Sequence, residues 1–299
     1  MTAATGPTTG PTTAPSRLAQ LVGTSRPLSW VNTAYPFGAA YLLAGGGVDL
    51  RLVLGVLWFL VPYNLLMYGV NDVFDYESDV RNPRKGGVEG IVLDRRVHRL
   101  TLWAAGILNL PFVVALVVLG DTASTAVLAV SVFAVVAYSA PWLRFKERPF
   151  LDSLTSSTHF VSPACFGLAL AGGSLTREAL AALAGFFLWG VASHAFGAVQ
   201  DIRADREAGI ASVGTWLGAA GTVRLALASY VAAGLLLATT GWPAALSALL
   251  VLPYAANVAA YLSVRDDDCE RAHGGWRRFL WLNYVTGFLL TQLLIWLTW

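Results

Sequence analysis

The chain has 299 residues, 56% hydrophobic and 13% charged, with a formal net charge of +2 and a mean hydropathy of +0.59. Soluble domains carry about 25% charged residues, so most of this surface must face lipid. The charge is too small and too dispersed for a nucleic-acid binder, and Cys165 and Cys269 lie too far apart to suggest a disulfide framework or a thiolate metal site.

Residues 1–24, rich in Thr, Ala, Gly and Pro up to Pro15, lack the apolar stretch of a signal peptide and read as a disordered cytoplasmic tail. From residue 25 to residue 299, apolar segments of spanning length recur at 28–46, 51–71, 99–119, 123–143, 152–172, 178–200, 220–240, 243–263 and 277–298. This pattern predicts an all-α, polytopic membrane domain with nine transmembrane helices. Of the 20 Lys and Arg residues, only Arg51 and Arg177 fall on the other side when the N-terminal segment and the connectors after spans two, four, six and eight are counted together with Arg99, Arg224, Arg277 and Arg278 at the adjoining span starts. The positive-inside rule therefore places the N-terminus and those connectors in the cytoplasm, and the C-terminal Trp299 outside the cell membrane. The cytoplasmic face also holds every acid except Asp49, Asp121 and Glu178.

Span two runs into Asn71-Asp72-Val-Phe-Asp75-Tyr-Glu-Ser-Asp79. Spacings of three and four put Asp72, Asp75 and Asp79 on one helix face, and Tyr68 and Asn64 extend that stripe into the bilayer. Span six ends in Gln200-Asp201-Ile-Arg-Ala-Asp205, with His194 two turns earlier on about the same face. A single acid pair past a span end is commonly a solvated helix cap. Two clusters at one depth are different, because like charges repel and each carboxylate near bilayer depth costs about 3 kcal/mol. A compensating cation is expected.

Oxygen-only donors suit a hard cation such as magnesium, which is usually held by one or two carboxylates plus substrate phosphates. Two facing clusters thus suggest two or more Mg²⁺ with a diphosphate between them. Formal charges then leave a deficit of about −4 for basic residues to fill. The loop after span four offers Arg144, Lys146 and Arg148; membrane anchoring is the competing reading and is preferred for Arg148.

The two acidic motifs resemble those of the UbiA prenyltransferase superfamily, and the resemblance extends over all nine spans. It implies helices around a central cavity, with Asp72, Asp75, Asp79, Asp201 and Asp205 as magnesium ligands and Asn71 at the prenyl diphosphate. The stretch from Tyr138 to Lys146 resembles that family's Tyr…Lys loop element, which helps to hold the diphosphate, with Arg144 as the alternative to Lys146. Stretches beginning at Ser25, Phe74, Arg144, Gly197 and Trp281 are similar to bacterial lycopene elongases. That subgroup implies a dimethylallyl diphosphate donor and lycopene as a lipid-phase acceptor, extended by C5 units to C45 and C50 carotenoids. An allylic cation formed there needs shielding from water, and aromatic faces such as Tyr68 attract cations. His194 or Asn32 could serve as the base, a buried structural role being the alternative for each. The loop over 72–98, with Gly86, Gly87 and Gly90, reads as a lid or a plain connector. Two rival readings are a quinone-precursor or tetrapyrrole acceptor and a transporter. The absence of mid-span Lys or Arg disfavours an acidic aromatic acceptor, and the clustering of acids at one face disfavours a midplane transport site.

Overall fold

All regular structure is helical among the residues described by the computed structural model, 15–80 and 91–298 apart from the side chains at 78 and 79. Each of the nine apolar segments coincides with helix. The helices are α1 (Arg17–Thr24), α2 (Val31–Leu43), α3 (Leu50–Leu60), α4 (Pro62–Phe74), α5 (Tyr76–Asp79), α6 (Arg95–Leu119), α7 (Thr122–Ser139), α8 (Leu151–Leu170), α9 (Arg177–Val199), α10 (Ile202–Ala208), α11 (Val213–Leu237), α12 (Leu252–Ala259) and α13 (Ala272–Thr298). Six stretches are long and apolar enough to cross a membrane: 50–74, 95–119, 122–139, 177–199, 213–237 and 266–298. The other three expected spans fall short of that test. The helix α2 has 13 residues, α8 is rich in Ser and Thr, and the 244–259 stretch is short.

Side-chain caps fix several helix starts. Asp49 accepts from Leu52 N (3.0 Å) at α3, Asp121 from Ser124 N (2.8 Å) at α7, and Ser212 from Thr215 N (3.2 Å) at α11, each satisfying an N–H that the helix leaves open. The helix α8 sits between α2, α7 and α9, while α9 runs along α11 and α4 packs on α6 and α7. Glycines permit the closest approaches. A Cβ at Gly167 would collide with the Phe37 carbonyl, and one at Gly190 with Ser157 Oγ. The seam between α13 and α2 is joined by Tyr35 Oη and Thr291 Oγ1 at 2.9 Å. Two aromatic cores fill the interior, one around Phe37, Trp58, Tyr63 and Phe166, the other around Phe196, Tyr230, Tyr254 and Phe279.

Two expectations are corrected here. The stretch 17–24, read as tail, forms α1, capped by Ser16 (3.2 Å to Ala19 N) and packed on α4 and α6. Its Thr/Gly/Pro-rich prelude masks the amphipathic Leu18 to Val22 turn. The second correction concerns Asn64, expected on a polar stripe toward substrate. It is fully buried at the α3–α4 break, where Pro62 supplies no N–H. Its amide donates to the Phe59 and Leu60 carbonyls (2.7 and 3.0 Å) and to Thr33 Oγ1 (2.8 Å), and Thr33 in turn donates to Phe59 O (2.7 Å). Asn109 repairs the other side of the break, donating to Pro62 O (2.7 Å). Asn64→Ala is therefore expected to cost about 1–3 kcal/mol of stability, read as a lower melting temperature in detergent. Asn32→Ala, at an exposed position of α2, should leave it unchanged.

Candidate active site

Both acidic motifs lie across helix breaks rather than along continuous helices. The helix α4 stops at Phe74, Asp75 caps it with its N–H on Asn71 O (2.9 Å), and α5 restarts at Tyr76. Likewise α9 stops at Val199, and Asp201 becomes the N-cap of α10. The C-terminal end of a helix carries partial negative charge, so carboxylates placed at one call for cations from elsewhere. The side chain of Asp79 and the lid segment with Gly86, Gly87 and Gly90 lie outside the described residues.

The cations at the first motif come from two separate stretches of chain. Lys146 pairs with Asp75 and donates to Asn71 Oδ1 (3.3 Å). Burial pushes the Lys146 ammonium below the usual lysine range, and the neighbouring Asp75 opposes that shift. Arg144 approaches Asp75 at 3.7 Å but is chiefly engaged by Glu147, to which its Nε donates at 2.7 Å. This favours Lys146 over Arg144 as the cation at the motif.

The second contributor is Arg26, which reading the sequence missed. Its Nη2 lies 3.1 Å from Asp72 Oδ1, its guanidinium sits 4.1 Å over the Tyr68 ring, and Thr24 Oγ1 donates to the other Asp72 oxygen. The Asp72 side chain is fully buried and that of Arg26 is 20% exposed. Arg26 and Arg144 adopt left-handed backbone conformations, with φ of 52° and 40°. Such a conformation costs roughly 1–3 kcal/mol and gathers where surrounding structure enforces it. Nothing in the local pattern announces Arg26; in the sequence it counts only toward membrane orientation. Tyr68, expected to shield a carbocation, already faces a cation.

At the second motif, the arginines of α10 turn outward. Arg203 pairs with Glu270, and Arg206 with Asp266 at 2.6 Å. Ser212 Oγ lies 3.3 Å from Asp205 Oδ2. The end of α7 links the first motif to α9, the helix that leads into the second. Ser139 donates to Asn71 Oδ1 (2.9 Å), and the adjacent Tyr138 hydroxyl lies 3.2 Å from His194 Nε2, two turns before Asp201. The ends of α4, α7 and α9 therefore gather at one end of the bundle. Tyr138, expected at the diphosphate, turns its hydroxyl to His194 instead. His194 Nδ1 in turn meets Ser153 Oγ at 3.0 Å. Asn32 is not part of this hydrogen-bonded group among the described residues.

The donor set is oxygen throughout, from Asn71 and the paired carboxylates, and so fits a hard divalent cation. Among the described residues, no three Asp, Glu, His or Cys side chains close into a cage. Two separate pairs suit magnesium, which keeps water and phosphate oxygens as ligands. A double-mutant cycle with Arg26→Met and Asp72→Asn should return a coupling of about 2 kcal/mol by thermal unfolding, since losing one partner strands a buried charge.

Comparison with known proteins places this geometry. Residues 33–297 match the UbiA prenyltransferase family. The chain is 59% identical over 280 residues to the C(50) beta-cyclic carotenoids biosynthesis protein LbtBC of Dietzia sp. (strain CQ4), covering 93% of this chain but only 65% of that longer relative. It is 53% identical over 272 residues to the lycopene elongase/hydratase of Corynebacterium glutamicum, covering 91% of this chain and 95% of the relative. Among solved structures, a UbiA homolog from Archaeoglobus fulgidus bound to GPP and Mg2+ superposes with a TM-score of 0.65 at 18% identity, over 89% of this chain and 99% of that one. At that identity the superposition speaks for the fold alone. Fold, paired acidic motifs and sequence agree: the chain belongs to the UbiA prenyltransferase family and is a prenyltransferase.

Proposed function

We propose that the chain transfers dimethylallyl units from dimethylallyl diphosphate to the ends of lycopene, with magnesium as cofactor, giving C50 carotenoids. It would do so from a nine-span arrangement in the cell membrane, with the acidic end of the bundle toward the cytoplasm. The observation that carries this reading is the pairing of Asp72 and Asp75 with cations from two separate segments, Arg26 and Lys146, with a second acidic motif following α9. Such a constellation is suited to gripping a diphosphate with its metal. The named activities of the relatives supply the acceptor.

In this reading Asp72, Asp75, Asp79, Asp201 and Asp205 would hold the metal, with Asn71 at the diphosphate. Magnesium, when bound, supplies charge neutralisation for the diphosphate as the allylic C–O bond breaks. Lys146 adds a positive charge in a largely buried position, where its effect on the leaving group is greater than in water. Arg26 is placed to exchange its contact with Asp72 for a phosphate oxygen, the planar guanidinium being well shaped for either partner. The cation that remains would need a site closed to water. The acceptor, fully apolar, reaches the site through lipid.

The decisive experiment supplies purified protein in lipid with labelled dimethylallyl diphosphate, magnesium and lycopene. Diphosphate release with a C5 mass gain on lycopene supports the proposal. Activity only on an aromatic quinone precursor or a tetrapyrrole would sink the acceptor, and solute flux without alkylation would point to transport. Chelation by EDTA should abolish turnover and added magnesium should restore it. Asp75→Asn or Asp201→Asn should lower turnover by about 10²–10³-fold or more. Lys146→Met is expected to cost about 10²-fold. Arg144→Met should cost less than about tenfold, because Glu147 already holds that guanidinium.

A further inference from the structure

One polar group inside the bundle has no evident part in holding a diphosphate. It runs from Tyr138 on α7 through His194 on α9 to Ser153 on α8, with contacts of 3.2 and 3.0 Å. Next to Ser153 is Asp152, completely buried, whose carboxylate accepts from Ser153 N (2.7 Å) and from Val213 N at the start of α11 (2.6 Å). The edge of a second buried imidazole, His159, packs against the Tyr138 ring at 5.1 Å. Tyr138 and His194 are half-buried, whereas Ser153 and Asp152 are buried. The chain therefore leads from a half-buried tyrosine to a sealed carboxylate. Its tyrosine end lies beside Ser139, which is hydrogen-bonded to Asn71 of the first motif.

The reaction proposed above has a proton to dispose of. Once the allylic carbon has bonded to the terminal alkene, the acceptor carries a tertiary cation. Either a C–H bond next to it breaks, or water adds. We infer that Tyr138 and His194 form a proton relay that resolves this cation by deprotonation, an assignment resting on transfer to an alkene acceptor. In the step, a C–H bond adjacent to the cation breaks and its electron pair becomes the new C=C bond. The proton goes to Tyr138 Oη as the phenolic proton passes to His194 Nε2. The neutral imidazole that this requires carries its own proton on Nδ1, donated to Ser153 Oγ. The imidazolium that forms is stabilised by the buried Asp152 charge. Return of the proton through Tyr138 to the leaving diphosphate resets the pair before product release.

Tyr138 is thus the catalytic residue, and His194, Ser153 and Asp152 are positioning residues. The arrangement follows the familiar logic of a base oriented by a second group. A merely structural hydrogen-bonded chain would rigidify the bundle without influencing which product forms.

The test reads the ratio of deprotonated to hydrated product, which differ in mass by one water, using lycopene, dimethylallyl diphosphate and magnesium. Wild-type protein that adds no C5 unit to lycopene overturns both the proposed function and the relay. With addition established, the variants address the relay alone. His194→Gln keeps a hydrogen-bonding partner for Tyr138 but cannot take up a proton. Tyr138→Phe removes one oxygen and tests the relay if the first variant misfolds, as monitored by size-exclusion profile and melting temperature. Both are expected to slow product formation and to shift the ratio at least about tenfold toward the alcohol. An unchanged ratio in the folded variants overturns the relay, even if their overall rate falls.

Discussion

The first motif depends on carboxylates standing at the C-terminal end of a helix, where the backbone's own partial charge opposes them. Asp72 and Asp75 at the end of α4 are met by Arg26 and Lys146, which arrive from segments 46 and 71 residues distant. These pairings tie the N-terminal segment, α4 and the loop after α7 into one electrostatic unit. Because Asp72 is fully buried, the cost of leaving it unpaired is several kcal/mol. In the function proposed above, a metal would take up the carboxylates and the basic groups would be free to meet phosphate.

Much of this was legible before any coordinates. The runs of apolar residues marked where helices form, and the spacing of Asp72 and Asp75 and of Asp201 and Asp205 marked the two motifs. What the spacing did not convey is that each motif straddles a break. Period alone treats Asp72 to Asp79 as one helix, whereas backbone hydrogen bonding ends at Asp75 and begins afresh at Tyr76. Lys146 was readable from the resemblance of the Tyr138 to Lys146 stretch to the family's loop element. Arg26 was not, because its contact spans distant chain and needs a left-handed backbone just before Pro27, a position normally extended.

Polar residues within the membrane proved the hardest to sort. Asn64 and His194 both fall on stripes that point toward the acids, and periodicity gives them equal standing. Packing separates them. Asn64 is consumed by carbonyls that Pro62 exposes, a need invisible unless the break itself is foreseen. His194 instead bonds side chains on two other helices. Asp152 was counted merely as one of the cytoplasmic acids, yet it is buried and stitches the start of α8 to the start of α11. The general lesson is that a polar group near a helix break owes its first allegiance to the backbone.

The composition of α8 has a consequence for biogenesis. This helix carries Ser153, Thr155, Ser157, His159 and Ser162 as buried residues along its length, and alone it would meet acyl chains with too many polar groups to partition readily. It becomes stable only when α2, α7 and α9 surround it, and α9 is synthesised later. Newly made α8 must therefore wait in an aqueous or chaperoned setting, or enter together with its successor as a paired unit. The order in which the bundle assembles is thus written into the polar residues of a single helix.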